Sequence, residues 1–170
     1  DDAPGKHSDD YSYFLNKVKE EQTYTPFLMD AYQENAIKAV KRGNSIVVQG
    51  PPGTGKSQMI SNLIADYIAR GKSVLVVCQK RAALDVIFSR LSDKNLNDFI
   101  ALVHDFKNDR KSIYEKIANQ IERLNEYQTR NNNLDTIQVE REFQISSRVI
   151  DEQTDVLEEY KKALFDETEC

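Results

Sequence analysis

Residues 50 to 57 read Gly-Pro-Pro-Gly-Thr-Gly-Lys-Ser, which puts three glycines, a lysine and two hydroxyl side chains within eight positions. Gly50, Gly53 and Gly55 allow the backbone to curl until successive N–H groups point at one spot, a shape that holds an anion. Lys56 adds a point charge on a flexible stem, and Ser57 adds a hydroxyl that can enter the shell of a divalent ion. Pro51 and Pro52 stiffen the entry and remove two donors. The pattern G-x-x-x-x-G-K-S is that of a nucleotide phosphate cradle, expected to consist of Gly50, Pro52, Gly53, Thr54, Gly55, Lys56 and Ser57. In it Lys56 reaches the β and γ phosphates and Ser57 holds Mg²⁺, so these two are the expected catalytic residues.

The flanking residues have the composition such a loop needs. Ser45-Ile46-Val47-Val48-Gln49 is short, β-branched and apolar, as a buried central strand would be. Met59, Ile60, Leu63, Ile64, Tyr67 and Ile68 recur at spacings of three and four, which predicts a helix with one buried face and its positive end beneath the loop. Further strands are predicted at residues 73–78 and 99–103, with a helix from Ala82 to about Leu91 between them. Strand and helix alternating in this way predict an α/β fold with a parallel sheet and right-handed crossovers. Upstream, Asp30 is placed to cap a helix bearing Ala31, Ala36, Ile37 and Val40, which Gly43-Asn44 ends. Residues 1–9 are polar and read as a disordered tail, followed by Tyr13, Phe14 and Val18 at helical spacing.

Beyond His104 the periodicity changes, and apolar residues fall only at helical intervals. Ile113, Ile117, Ile121 and Leu124 form one stripe; Val139, Phe143, Ile150, Leu157, Tyr160 and Leu164 form another, four of them seven residues apart. With Asn131-Asn132-Asn133 read as a turn, these stripes predict a helical hairpin or coiled-coil insertion over residues 107–170, whose second arm of about 30 residues would be roughly 45 Å long. Ser146 and Gln153 on the seam favour a hairpin packed on other protein over an isolated coiled coil. Asp151-Glu152 has the composition of the paired acids that position Mg²⁺ and water in phosphate-loop enzymes. Gln144, Ser146, Ser147 and Arg148 precede it where an apolar strand should, so a solvated helix face is the better reading and the second catalytic motif is absent.

No apolar run approaches the eighteen or so residues a membrane span needs. Two cysteines, Cys78 in an expected core strand and Cys170 at the last position, form no disulfide framework and suggest a reducing, cytoplasmic setting. The formal net charge is −5. It is concentrated beyond Asn131, so the first three quarters of the chain are close to neutral and slightly positive. The polar ends and the lack of a closing element read as those of an excised fragment.

Residues 30–37, Asp-Ala-Tyr-Gln-Glu-Asn-Ala-Ile, followed by Val47 to Ser57, resemble the start of the first motor domain of superfamily 1 helicases, nearest to the nonsense-mediated-decay helicase group and its bacterial relatives. The resemblance implies a RecA-like domain over residues 10–106 that binds ATP and Mg²⁺. It makes Gln33 the glutamine whose amide pairs with the adenine edge, giving preference for ATP. Residues 74–87 are similar to the family's motif Ia, which implies that Lys80 and Arg81 touch the backbone of single-stranded nucleic acid. The resemblance covers about residues 24–104. Motifs for the acidic pair, the arginine finger and the second motor domain are missing, so hydrolysis and strand separation are expected of a full-length parent and this piece is expected to be weakly active at best. An AAA-type remodelling ATPase, a structural-maintenance type ATPase and a nucleotide-binding scaffold are the competing classes.

Overall fold

The computed structural model describes residues 20–133 and 136–165; the expected N-terminal tail and the amphipathic piece around Phe14 lie outside them. Six helices are described: α1 (Ala31–Lys41), α2 (Lys56–Ala69), α3 (Arg81–Ser92), α4 (Phe106–Glu122), α5 (Leu124–Asn133) and α6 (Thr136–Phe165), with 3-10 turns at Glu20–Gln22 and Asn97–Phe99. Local chemistry sets their ends. Asp30 accepts from the Gln33 N–H at 2.8 Å, capping α1 as its sequence position predicts. The first three helices end in the same way. Beyond α1, Gly43 N–H bonds Val40 O and Asn44 N–H bonds Ala39 O; Gly71 and Lys72 repeat this beyond α2, and Asn95 and Leu96 beyond α3. In each, the residue at the reversal is left-handed, with φ of 86°, 65° and 58° for Gly43, Gly71 and Asn95.

The expected parallel sheet is not there. Among the described residues there is no strand: residues 44–49, 72–78 and 100–103 carry no regular structure, and Phe99 belongs to a 3-10 turn. Val47 is 93 % and Leu75 87 % exposed, where a central strand would bury both faces, and Cys78 is exposed too. β-branched side chains favour extended backbone, but a parallel ladder also needs paired N–H and C=O groups and cover on both faces. Here only one face is covered. Val76 and Ile100 pack on a core of Ile64, Ala65, Ile87 and Leu91 from α2 and α3, while Leu75 and Val77 face away from it into solvent. A cleft of about 540 Å³, lined by Ile68, Val74, Leu84, Phe88 and Leu102 among others, runs along this face.

The described residues divide into two compact units, one of residues 24–33 and 47–133 and one of residues 20–23, 34–46 and 136–165. The first holds α2 to α5, the core and the cleft. In the second, α6 packs against the Glu20–Gln22 turn, where the Glu20 N–H donates to Asp151 at 3.2 Å. Burial pushes the Glu20 carboxyl above the usual carboxylate range, with Lys38 opposing the shift. Lys38 pairs with Glu34, and Lys41 donates to Gln22 O and to the Thr23 hydroxyl.

The C-terminal expectation needs a second correction. Helices do form where helical periodicity placed them, and α6 has the expected 30 residues. Asn131–Asn133, however, completes α5 and is not a turn, and α5 and α6 belong to different compact units. The seven-residue seam of α6 is open: Ile150 is 50 %, Leu157 67 % and Leu164 75 % exposed, so no coiled coil is formed along it. Asp151-Glu152 lies within α6, on a helix and not at a strand end.

Candidate nucleotide site

The loop between residues 50 and 55 curls back over the head of α2. Gly53 and Gly55 take φ of 87° and 73°, values that L side chains adopt only with strain. At Gly50 the need is for space, since a Cβ there would stand 2.6 Å from the Thr54 hydroxyl. That hydroxyl donates to Pro51 O at 2.9 Å and ties the loop across its base. Gly55 occupies the N-cap position of α2 without a side-chain cap, and no acid stands in the helix's first turn. Unpaired N–H groups and the positive end of the helix dipole therefore meet under the loop.

Lys56, the first residue of α2, turns inward. Its ammonium donates to Gly50 O and to Pro51 O, the latter at 2.6 Å, so the charge is held inside the curl. Ser57 follows in the first turn, half-buried. Gln33, 23 positions before Lys56, meets the same loop. Its side-chain amide donates to Thr54 O at 3.1 Å and packs so closely on Gly55 that a Cβ there would collide with it. Its side-chain carbonyl oxygen is buried without a hydrogen-bond partner, an acceptor left free for a donor. Gln33 and residues 50–57 thus form one cluster.

Lys80 and Arg81 stand elsewhere, exposed at the head of α3, which also lacks a side-chain cap and first-turn acids. Two cations at the positive end of a helix repel its dipole unless an anion joins them. Arg81 is partly engaged by Asp85 at 3.7 Å, and the His104 ring stands 3.3 Å from the same carboxylate. The apolar periodicity of α2 hid another feature: its opposite face is polar, with Gln58, Asn62 and Asp66 directed at the backbone of residues 24–28. The signal was in the sequence as polar residues four apart.

A glycine loop curls over an uncapped helix head, with a lysine turned into it. Residues 29–169 match the AAA domain family, and the chain belongs to that family; it is a superfamily 1 helicase-like N-terminal motor region. It is 37 % identical over 106 residues to an uncharacterized ATP-dependent helicase, MG140, of Mycoplasma genitalium, a match covering 62 % of this chain and 9 % of that protein. It is 33 % identical over 82 residues to the replication restart protein PriA of Rickettsia conorii, covering 46 % and 13 %. With the DNA polymerase alpha-associated DNA helicase A of Schizosaccharomyces pombe it shares 35 % over 71 residues, 40 % and 10 % of the two chains. The chain thus spans about a tenth of the length of these relatives. No solved structure matches it. Among the described residues, no helix is long and apolar enough to cross a membrane.

Proposed function

We propose that this chain is the ATP-binding portion of a helicase motor, holding the triphosphate in the loop at residues 50–57. The observation that carries the reading is Lys56, an ammonium held by two carbonyls inside a curl of backbone at an uncapped helix head. An arriving β or γ phosphate offers that ammonium a charged acceptor in exchange for neutral ones, the stronger hydrogen bond. The N–H groups of the loop and of the first turn of α2 take the remaining phosphate oxygens. The Ser57 hydroxyl sits in that turn, so it fits as the single protein ligand of a Mg²⁺ ion otherwise held by phosphate oxygens; the ion would neutralise charge on the transferred group. Gln33, with its carbonyl oxygen free, reads the adenine amino group, which guanine lacks at that position.

Titration calorimetry of the chain with Mg-ATP tests this directly. Lys56→Ala should weaken binding roughly a hundredfold, the worth of a hydrogen-bonded charge on phosphate. Unchanged affinity would remove the cradle assignment. In the whole motor, Lys80 and Arg81 supply phosphate contacts to a single strand of nucleic acid, and ATP turnover drives movement along it. Turnover of the full-length protein that ignores single-stranded DNA and RNA would instead favour protein remodelling or scaffolding. Without an acidic pair at a strand end, the chain alone should bind ATP and turn it over weakly.

A further inference from the structure

Residues 24–29 run without regular structure beside α2, so their backbone polar groups must find partners outside a helix or ladder. Three side chains of α2 supply them. Asp66 accepts from Tyr24 N–H at 3.1 Å; Asn62 accepts from Phe27 N–H and donates to Phe27 O, both at 2.9 Å; Gln58 donates to Leu28 O at 2.5 Å. Positions 58, 62 and 66 are one turn apart and lie along one face of the helix. Asn62 and Asp66 are fully buried, and the two bonds Asn62 makes to Phe27 are those a neighbouring strand residue would make. Lys94 sets its ammonium 5.4 Å from the centre of the Phe27 ring. Two residues beyond Leu28, Asp30 caps α1 and fixes Gln33 in its first turn, where the Gln33 amide reaches Thr54 O.

We propose that Gln58, Asn62 and Asp66 are positioning residues for nucleotide base selection, holding the segment that delivers Gln33 against the same helix that carries the phosphate loop. This inference rests on the nucleotide reading above. The head of α2 fixes the triphosphate and its side fixes the base-reading glutamine, so the distance between the two subsites is set by one rigid rod. Loosening the side of α2 lets Gln33 drift from the base while the phosphate cradle stays intact. The predicted loss is therefore one of discrimination and not of phosphate affinity.

The test titrates the chain with Mg-ATP, Mg-GTP and inorganic tripolyphosphate. Gln58→Ala, at the less buried end of the row, should shrink the ATP-to-GTP affinity ratio about threefold to fivefold, the worth of one hydrogen bond, and leave tripolyphosphate affinity unchanged. Asn62→Ala should shrink the ratio further where thermal melting shows it folded. In a Gln33→Ala background, Gln58→Ala should leave the ratio alone, because its effect acts through Gln33. An unaltered ratio in Gln58→Ala, a parallel loss of all three ligands, or additive effects with Gln33→Ala would each overturn the proposal. Failure of the unsubstituted chain to bind any of the three would instead overturn the nucleotide reading, a different result from binding with an unmoved ratio.

Discussion

Two rows of polar side chains in the same compact unit do the same job in different surroundings. On α2, Gln58, Asn62 and Asp66 hold the backbone of residues 24–28. Across α4 and α5, Lys116, Gln120, Arg123 and Tyr127 hold residues 97–100: Lys116 donates to Asn97 O and Ile100 O, Gln120 to Asp98 O, and Arg123 and Tyr127 to the Asp98 carboxylate. Each row gives partners to a segment that has no ladder. The α2 row is fully buried at Asn62 and Asp66, whereas the α4–α5 row is half-buried at Lys116, Gln120 and Tyr127 and about half exposed at Arg123. Buried groups lose water for good, so each bond there must be made or a full desolvation cost remains. Groups that keep water beside them can exchange a lost partner for water at lower cost. The same spacing therefore produces a structural joint in one place and a surface fastening in the other.

This contrast can be broken by substitution. Asn62→Ala should cost the most, about 3 kcal/mol, because it strands both polar groups of Phe27; urea unfolding would measure it, and a loss under 1 kcal/mol would remove the distinction between the rows. Arg70→Met leaves the Asp66 carboxylate buried without the cation it pairs with in the next turn, and should also cost about 3 kcal/mol. Lys116→Met in the outer row should cost only about 1 kcal/mol by the same assay. The smallest effect concerns pH. The hydrogen bond from Tyr127 to Asp98 holds the phenol above its ordinary value, so the protonated form is favoured by folding. The stability it contributes is complete below the unfolded tyrosine value, about pH 10, and is lost as pH rises through the higher folded value. Ultraviolet titration should find one late-ionising tyrosine that returns to the ordinary range in Asp98→Asn; no late phase would contradict the bond.

Short-range chemistry made much of this protein legible in its sequence. The curl of the glycine-rich loop at residues 50–55, the Asp30 cap, the ends at Gly43 and Gly71, and the 30-residue α6 follow from interactions within a few positions of one another. The contact of Gln33 with that loop has no local signature, because its link to Thr54 spans 21 positions. The apolar runs at 45–49, 73–78 and 99–103 state a preference for extended backbone, and α6 states a seven-residue seam. Neither determines what lies beside it. Whether an extended run becomes a strand depends on neighbours that pair its N–H and C=O groups, and whether a seam becomes a coiled coil depends on a second helix against it. Tertiary structure decided both against the sequence-based expectation, leaving the runs unladdered and the seam in solvent. It also turned a polar helix face into a joint, because burial, which no single position encodes, determines what a hydrogen bond is worth.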